Sequence, residues 1–123
     1  MNDDYACVFG CEFDKKFKKA FKKHRCVEND FNDLKKTIFA NFENTRLTIQ
    51  ISGLGEEYSS KKVFKTHMMI TELRSKDARL VWHPCCERRQ MLFIDVYLKN
   101  MQENHDADLI KRSLDSYYET NLK

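Results

Sequence analysis

Met91-Leu92-Phe93-Ile94-Asp95-Val96-Tyr97-Leu98 is the most apolar run of the chain. Its length and its single charge read as a β-strand, and its apolarity predicts that it is the central strand of a sheet. Two more strand-like runs precede it. Val63 to Ile70 is the first and Ala78 to His83 the second, with Pro84 expected to close it. Glu87-Arg88-Arg89-Gln90 supplies a polar hairpin connection into the apolar run.

Further out, Leu47-Thr48-Ile49-Gln50-Ile51 alternates with period two, followed by a turn at Ser52-Gly53-Leu54-Gly55 and a polar stretch from Glu56 to Lys62. Tyr5-Ala6-Cys7-Val8-Phe9 reads as a first strand that Gly10 ends or bulges. Phe13, Phe17, Ala20, Phe21 and His24 then line one face of a helix, with Asp14 as the expected N-cap. The other face carries Lys15, Lys16, Lys18, Lys19, Lys22 and Lys23. After a break at Arg25-Cys26, a second stripe (Val27, Phe31, Leu34, Ile38, Phe42) begins with Glu28 and Asp30, acids that suit a helix N-terminus. The two stripes predict an antiparallel helical hairpin. At the other end, Asp106 caps a last helix whose Leu109, Ile110, Leu114, Tyr117 and Tyr118 repeat at helical spacing. Helices and strands are segregated along the chain. The fold class expected is therefore α+β, with an N-terminal helical hairpin packed on a small, mainly antiparallel sheet and a C-terminal helix, in one domain over residues 1–123.

Composition narrows the function classes. The 123 residues are 33% charged and 41% hydrophobic, a balance that suits a packed domain. No stretch approaches the roughly 20 apolar residues that cross a bilayer. The acidic start, Met1-Asn2-Asp3-Asp4, is unlike a secretory signal, so the expected location is cytoplasmic. Three glycines and one proline leave no phosphate-cradling loop, and the G-x-S-x-G and H-E-x-x-H motifs are absent. Cys7, Cys11, Cys26, Cys85 and Cys86 contain no C-x-x-C pair, and His83 beside Cys85 and Cys86 lacks a second ligand pair at zinc-like spacing. Neither a metal nor another cofactor is expected.

The net charge of +3 is unevenly spread. Nine basic and four acidic residues fall between Phe13 and Phe42, and the same numbers recur between Lys61 and Lys99. Two basic blocks separated by acidic stretches point to a polyanion such as nucleic acid.

The order of elements and four short motifs together resemble the RelE/ParE superfamily of toxins from type II toxin–antitoxin systems. Ile51-Ser52-Gly53-Leu54-Gly55 is similar to an I-P-G-L-G turn of one branch, and Val63-Phe64-Lys65 to a V-Y-K-x-R strand. Ala78-Arg79-Leu80-Val81-Trp82 is similar to G-x-R-V-I-Y, and Phe93 to Asn100 contains a match to I-x-I-Y-x-K. Two positions depart from the pattern: His67 stands where the family has a second basic strand residue, and Asp77-Ala78 replaces a Gly-Gly.

The resemblance implies a metal-independent endoribonuclease that cuts mRNA on the ribosome and stops translation. Such cleavage needs the ribose 2′-OH deprotonated, charge on the phosphorane stabilised and the 5′-oxygen protonated. A lysine crowded by cations can serve as base, an arginine can hold phosphate oxygens bidentately, and a histidine or tyrosine can give the last proton. On this reading Lys65 or Lys99 is the base, Arg79 holds the scissile phosphate, and His67 or Tyr97 is the acid. Lys15, Lys18, Lys19, Lys22 and Lys23, with Arg74 and Lys76, would bind RNA. The implied partners are a cognate antitoxin, mRNA and ribosomal RNA, with no membrane. Two other readings stay open: a ParE-like poison of DNA gyrase, and an inactive member that only binds RNA or antitoxin.

Overall fold

A computed structural model of the chain describes residues 6–21, 31–33, 36, 48–70, 75–99, 102 and 104–120. Its elements are β1 (Ala6–Phe9), α1 (Phe13–Phe21), β2 (Thr48–Ile51), a short 3-10 turn (Glu56–Tyr58), β3 (Val63–Ile70), β4 (Ser75–Cys85), β5 (Gln90–Leu98) and α2 (Ala107–Thr120). The five strands form one sheet in the order β1-β5-β4-β3-β2. All neighbours are antiparallel except β1 and β5, which run parallel with Phe9 opposite Phe93. The arrangement is α+β, as the segregated pattern predicts. Most of the helical stripe from Val27 to Phe42, and hence the hairpin it would make, lies outside the described residues, although residues 31–33 are helical.

Three local expectations are corrected. The middle strand is β4 and not β5, because β1 adds to the outer side of β5 while β3 and β2 extend the other side. Pro84 does not close β4; it pairs with Met91 and the strand runs on to Cys85. The pairing of β4 with β3 has ended by then, at Phe64 opposite Trp82, so one side of β4 is open at Pro84 and a missing N–H is tolerated. Asp14 is not the N-cap of α1. The Phe13 N–H already bonds to the Gly10 carbonyl (3.2 Å) and the Lys16 N–H to that of Glu12 (3.0 Å), so Asp14 lies inside the first turn. There it pairs with Lys18 at 3.1 Å.

Each face of the sheet is covered by helix. On one, Phe13 and Phe31 pack on Ala78, Leu80, Trp82, Phe93 and Val96. On the other, Leu109, Ile110, Leu114 and Tyr117 of α2 pack on Val81, Leu92, Ile94 and Tyr97. The three aliphatic residues of α2 are at most 1% exposed, each contributing roughly 1.5–3 kcal/mol by burial. The Asp106 cap, which accepts the Leu109 N–H at 3.1 Å, adds about 1 kcal/mol. Packing therefore outweighs capping in holding α2, while the cap fixes where it starts. Gly10 is required by close approach. Its N–H bonds to the Phe93 carbonyl at 2.7 Å, and a Cβ there would lie 3.2 Å from that oxygen and from Ser113 Oγ.

Candidate functional site

Strand register builds the site. His67 on β3 is opposite Arg79 on β4, and Arg79 is opposite Tyr97 on β5. Directly paired residues share a face, so the three form one row across the sheet. Lys65, two residues before His67, is on the same face in the next row, with Val81 on one side and Ile49 on the other. Ile49 is 55% exposed, which leaves the Lys65 row open at its β2 end. Lys99 is exposed just beyond β5. A classical pattern of alternation thus brings Lys65, His67, Arg79, Tyr97 and Lys99 to one region of the face that α2 partly covers.

The charges in this region act on one another. Burial together with the positive charges of Arg79 and Lys99 lowers the pKa of Lys65. Arg79 is only 9% exposed, and its Nη1 donates to the Ala78 carbonyl at 3.1 Å, which fixes the guanidinium against its own strand. Burial, with a contribution from Asp95, pushes the Tyr97 phenol up to about 12. Tyr97 is therefore a protonated side chain, and at 3% exposed it belongs to the core beneath α2.

Sequence reasoning passed over His105. It stands in the connection before α2, beside the capping Asp106, and its pKa is lowered by burial and by the charge of Lys65. Its Nδ1 is buried and makes no hydrogen bond among the described residues. A lone histidine in a connection has no periodicity to mark it; its position one residue before a helix cap is the only signal that the sequence held.

The basic residues of α1 are elsewhere. Lys15, Lys18 and Lys19 are exposed on a helix that packs against the opposite face of the sheet. They form a second cationic surface, separate from the Lys65 region. Lys76 belongs to β4, and its side chain is outside the described set. Lys22, Lys23 and Arg74 also lie outside the described residues, as does Cys26.

At the far end of β4 a cavity of about 650 Å³ is lined by His83, Cys85, Cys86, Lys61, Lys62 and Tyr118 among others. Its histidine is fully engaged. His83 Nδ1 contacts the Lys62 carbonyl and Nε2 the Tyr118 hydroxyl, both at 2.6 Å, and burial lowers its pKa. The neutral tautomer that satisfies both donates from Nδ1 and accepts from Tyr118. Cys85 is buried, whereas Cys7, Cys11 and Cys86 are exposed, and all four are free thiols. Among the described residues no three His, Cys, Asp or Glu side chains are grouped to hold a metal ion, and no helix is long and apolar enough to cross a membrane.

In three dimensions the chain is similar to the E. coli toxin RelE, in the free-state structure of a double arginine-to-alanine mutant. The TM-score is 0.54 at 15% identity, covering 92% of this chain and 97% of that one. The likeness establishes a RelE-like fold. No family model matches the chain, and no curated protein matches it by sequence.

Proposed function

We propose that the chain is the toxin of a toxin–antitoxin pair and an endoribonuclease that cuts mRNA without a metal. The observation that carries this reading is the grouping of Lys65 and Arg79 in adjacent rows of one sheet face, with Lys99 just past Tyr97, the partner of Arg79; burial and then the charges of Arg79 and Lys99 lower the pKa of Lys65. Cations held together on a sheet face oppose folding, and their retention is accounted for by an anionic ligand. The RelE-like fold supports the same conclusion.

With His105 included, we assign the base to His105 in place of Lys65 or Lys99 and the acid to Lys65 in place of His67 or Tyr97, an assignment that the two pKa directions support. A histidine whose pKa is lowered from 6.5 is neutral at pH 7 and accepts protons, whereas a lowered pKa makes the Lys65 ammonium a readier donor than that of an ordinary lysine. The His105 imidazole takes the proton of the ribose 2′-OH as the 2′-oxygen attacks phosphorus. The bond from phosphorus to the 5′-oxygen breaks, and the Lys65 ammonium gives that oxygen its proton. The products are a 2′,3′-cyclic phosphate and a 5′-hydroxyl. Arg79 and Lys99 stabilise the charge on the phosphorane. His67 flanks Arg79 and contacts the RNA, while Tyr97 supports Arg79 from the core. The exposed Lys15, Lys18 and Lys19 supply a separate surface for ribosomal RNA, whose contact weakens with salt. A cognate antitoxin covers the cationic region when the toxin is silent.

Induced expression tests the proposal. The wild-type chain should arrest translation and leave cleaved message, and the Arg79→Ala/Lys99→Ala double variant should do neither while accumulating to the same level. Full toxicity of the double variant would remove these residues from the site. A DNA-damage response with intact message would replace the reading with gyrase poisoning.

A further inference from the structure

Among the described lysines of α1, Lys16 behaves unlike its neighbours. Lys15, Lys18 and Lys19 are exposed, but the Lys16 side chain is 20% exposed and its ammonium lies 3.5 Å from Oδ1 of Asp95, a carboxylate with no exposure at all. Asp95 sits just past the point where β1 stops pairing with β5, at Phe93, so that edge of β5 is open to the start of α1. The same ammonium donates to Gln102 Oε1 at 2.6 Å. Gln102 in turn donates from Nε2 to the Asn104 carbonyl at 2.9 Å and, more distantly at 3.4 Å, to Asp95 Oδ2. Its backbone N–H is held by the Leu98 carbonyl at 3.0 Å.

These bonds converge on the segment that carries His105. Asn104, on one side, is held through its carbonyl by Gln102. Asp106, on the other, is held by the Leu109 N–H at the start of α2. His105 thus has held residues on both sides of it, and the charge of Lys65 acts on its ring.

We infer that Lys16 and Gln102 are positioning residues, which reach across from α1 to fix the 104–106 segment and so set the place of His105 against Lys65. The inference rests on the endoribonuclease reading above for its kinetic consequence but not for its structural one. A half-buried ammonium paired with a buried carboxylate would hold the fold together without Gln102. The link from the ammonium through the carboxamide to the Asn104 carbonyl gives the pair a second task, orienting a connection whose far end is set by the cap of α2. A displacement of about 1 Å at a reacting group is enough to slow chemistry by about a hundredfold.

The test uses the full chain and two readouts. The first is the titration of the His105 imidazole followed by NMR. The groups that act on it are Lys65 from β3 and Asp106 from its own connection. In Lys16→Met and in Gln102→Ala the segment is released, and the His105 pKa should rise toward its ordinary value; Lys15→Met should leave it in place. The second readout is cleavage of programmed message. Gln102→Ala should lower kcat about tenfold or more with KM unchanged, whereas Lys15→Met and Lys19→Met should raise KM alone. Because Lys16→Met leaves Asp95 buried without its cation, the Lys16→Met/Asp95→Asn double variant accompanies it. A purely structural role predicts that this double variant regains both kcat and the wild-type His105 titration, which would overturn the inference. An unchanged His105 titration in Gln102→Ala would overturn it as well. If the wild-type chain cleaves no RNA, the function fails while the titration still decides the positioning.

Discussion

The Lys65 ammonium and the Arg79 guanidinium occupy one face of the sheet in adjacent cross-strand rows, and burial together with the Arg79 charge lowers the pKa of Lys65. The fold tolerates this repulsion in its uncomplexed state. Lys65→Met should therefore raise the urea midpoint at pH 7 while abolishing cleavage. The sign follows from linkage. With the folded pKa below the ordinary 10.5, the folded chain binds fewer protons in that window and the penalty is fully present at lower pH. The gain from Lys65→Met should consequently shrink as pH approaches 10.5, and comparing urea titrations at pH 7 and pH 10 checks it.

Cleavage should follow a bell in pH. The acidic limb belongs to His105, whose pKa is below the ordinary 6.5, and the alkaline limb to Lys65, whose pKa is below the ordinary 10.5. Lys99→Gln removes a like charge from Lys65 and should move the alkaline limb upward, leaving the acidic limb where it is. Rates measured under saturating message at closely spaced pH values decide it; a shift of the acidic limb alone would be the wrong result.

Acid should loosen the far end of the sheet through His83. Its pKa is lowered by burial, so the unfolded chain takes up protons first as pH falls below 6.5. Stability is complete above that value and declines as pH falls through the folded pKa. His83→Gln should flatten a good part of the change in denaturation midpoint between pH 7 and pH 5. His105, whose shift has the same sign, adds to the loss, and Asp95, whose carboxyl is raised by burial, opposes it.

Trp82 and Thr66 are both fully buried, and the indole Nε1 donates to Thr66 Oγ1 at 2.9 Å. Thr66→Val keeps the shape and removes the acceptor, leaving a buried N–H unsatisfied, and should cost about 1–3 kcal/mol. Thr66→Ser should recover much of that loss. Denaturant titration of the two variants side by side measures the difference.

Strong periodicity made much of the architecture legible. The stripe of Leu109, Ile110, Leu114 and Tyr117 predicted α2 and its buried face, and Asp106 its start. Alternation in the β2 and β3 segments predicted strands, and the spacing of Lys65, His67, Arg79 and Tyr97 allowed a common face. What alternation lacks is strand order. Nothing in Met91 to Leu98 announces that a four-residue strand from the N-terminus would add on one side and move the middle of the sheet to β4. Lys16 was hidden in a lysine-rich helix, although its spacing from Phe13 and Phe17 puts it on the buried stripe. There a cation has to find a carboxylate, and Asp95, the single charge in the most apolar strand, was the available one. His105 lies where neither helix nor strand imposes a repeat, and only the folded chain brings it to Lys65.

The parallel pairing of residues 6–9 with 90–93 also governs when the molecule can come into being during translation. The first strand leaves the synthesising ribosome long before its neighbour exists, and the sheet cannot close until residues 90–93 have been made. His105 emerges later still. Under the proposed function, a nascent chain of this layout cannot act on message before the segment carrying His105 has been made.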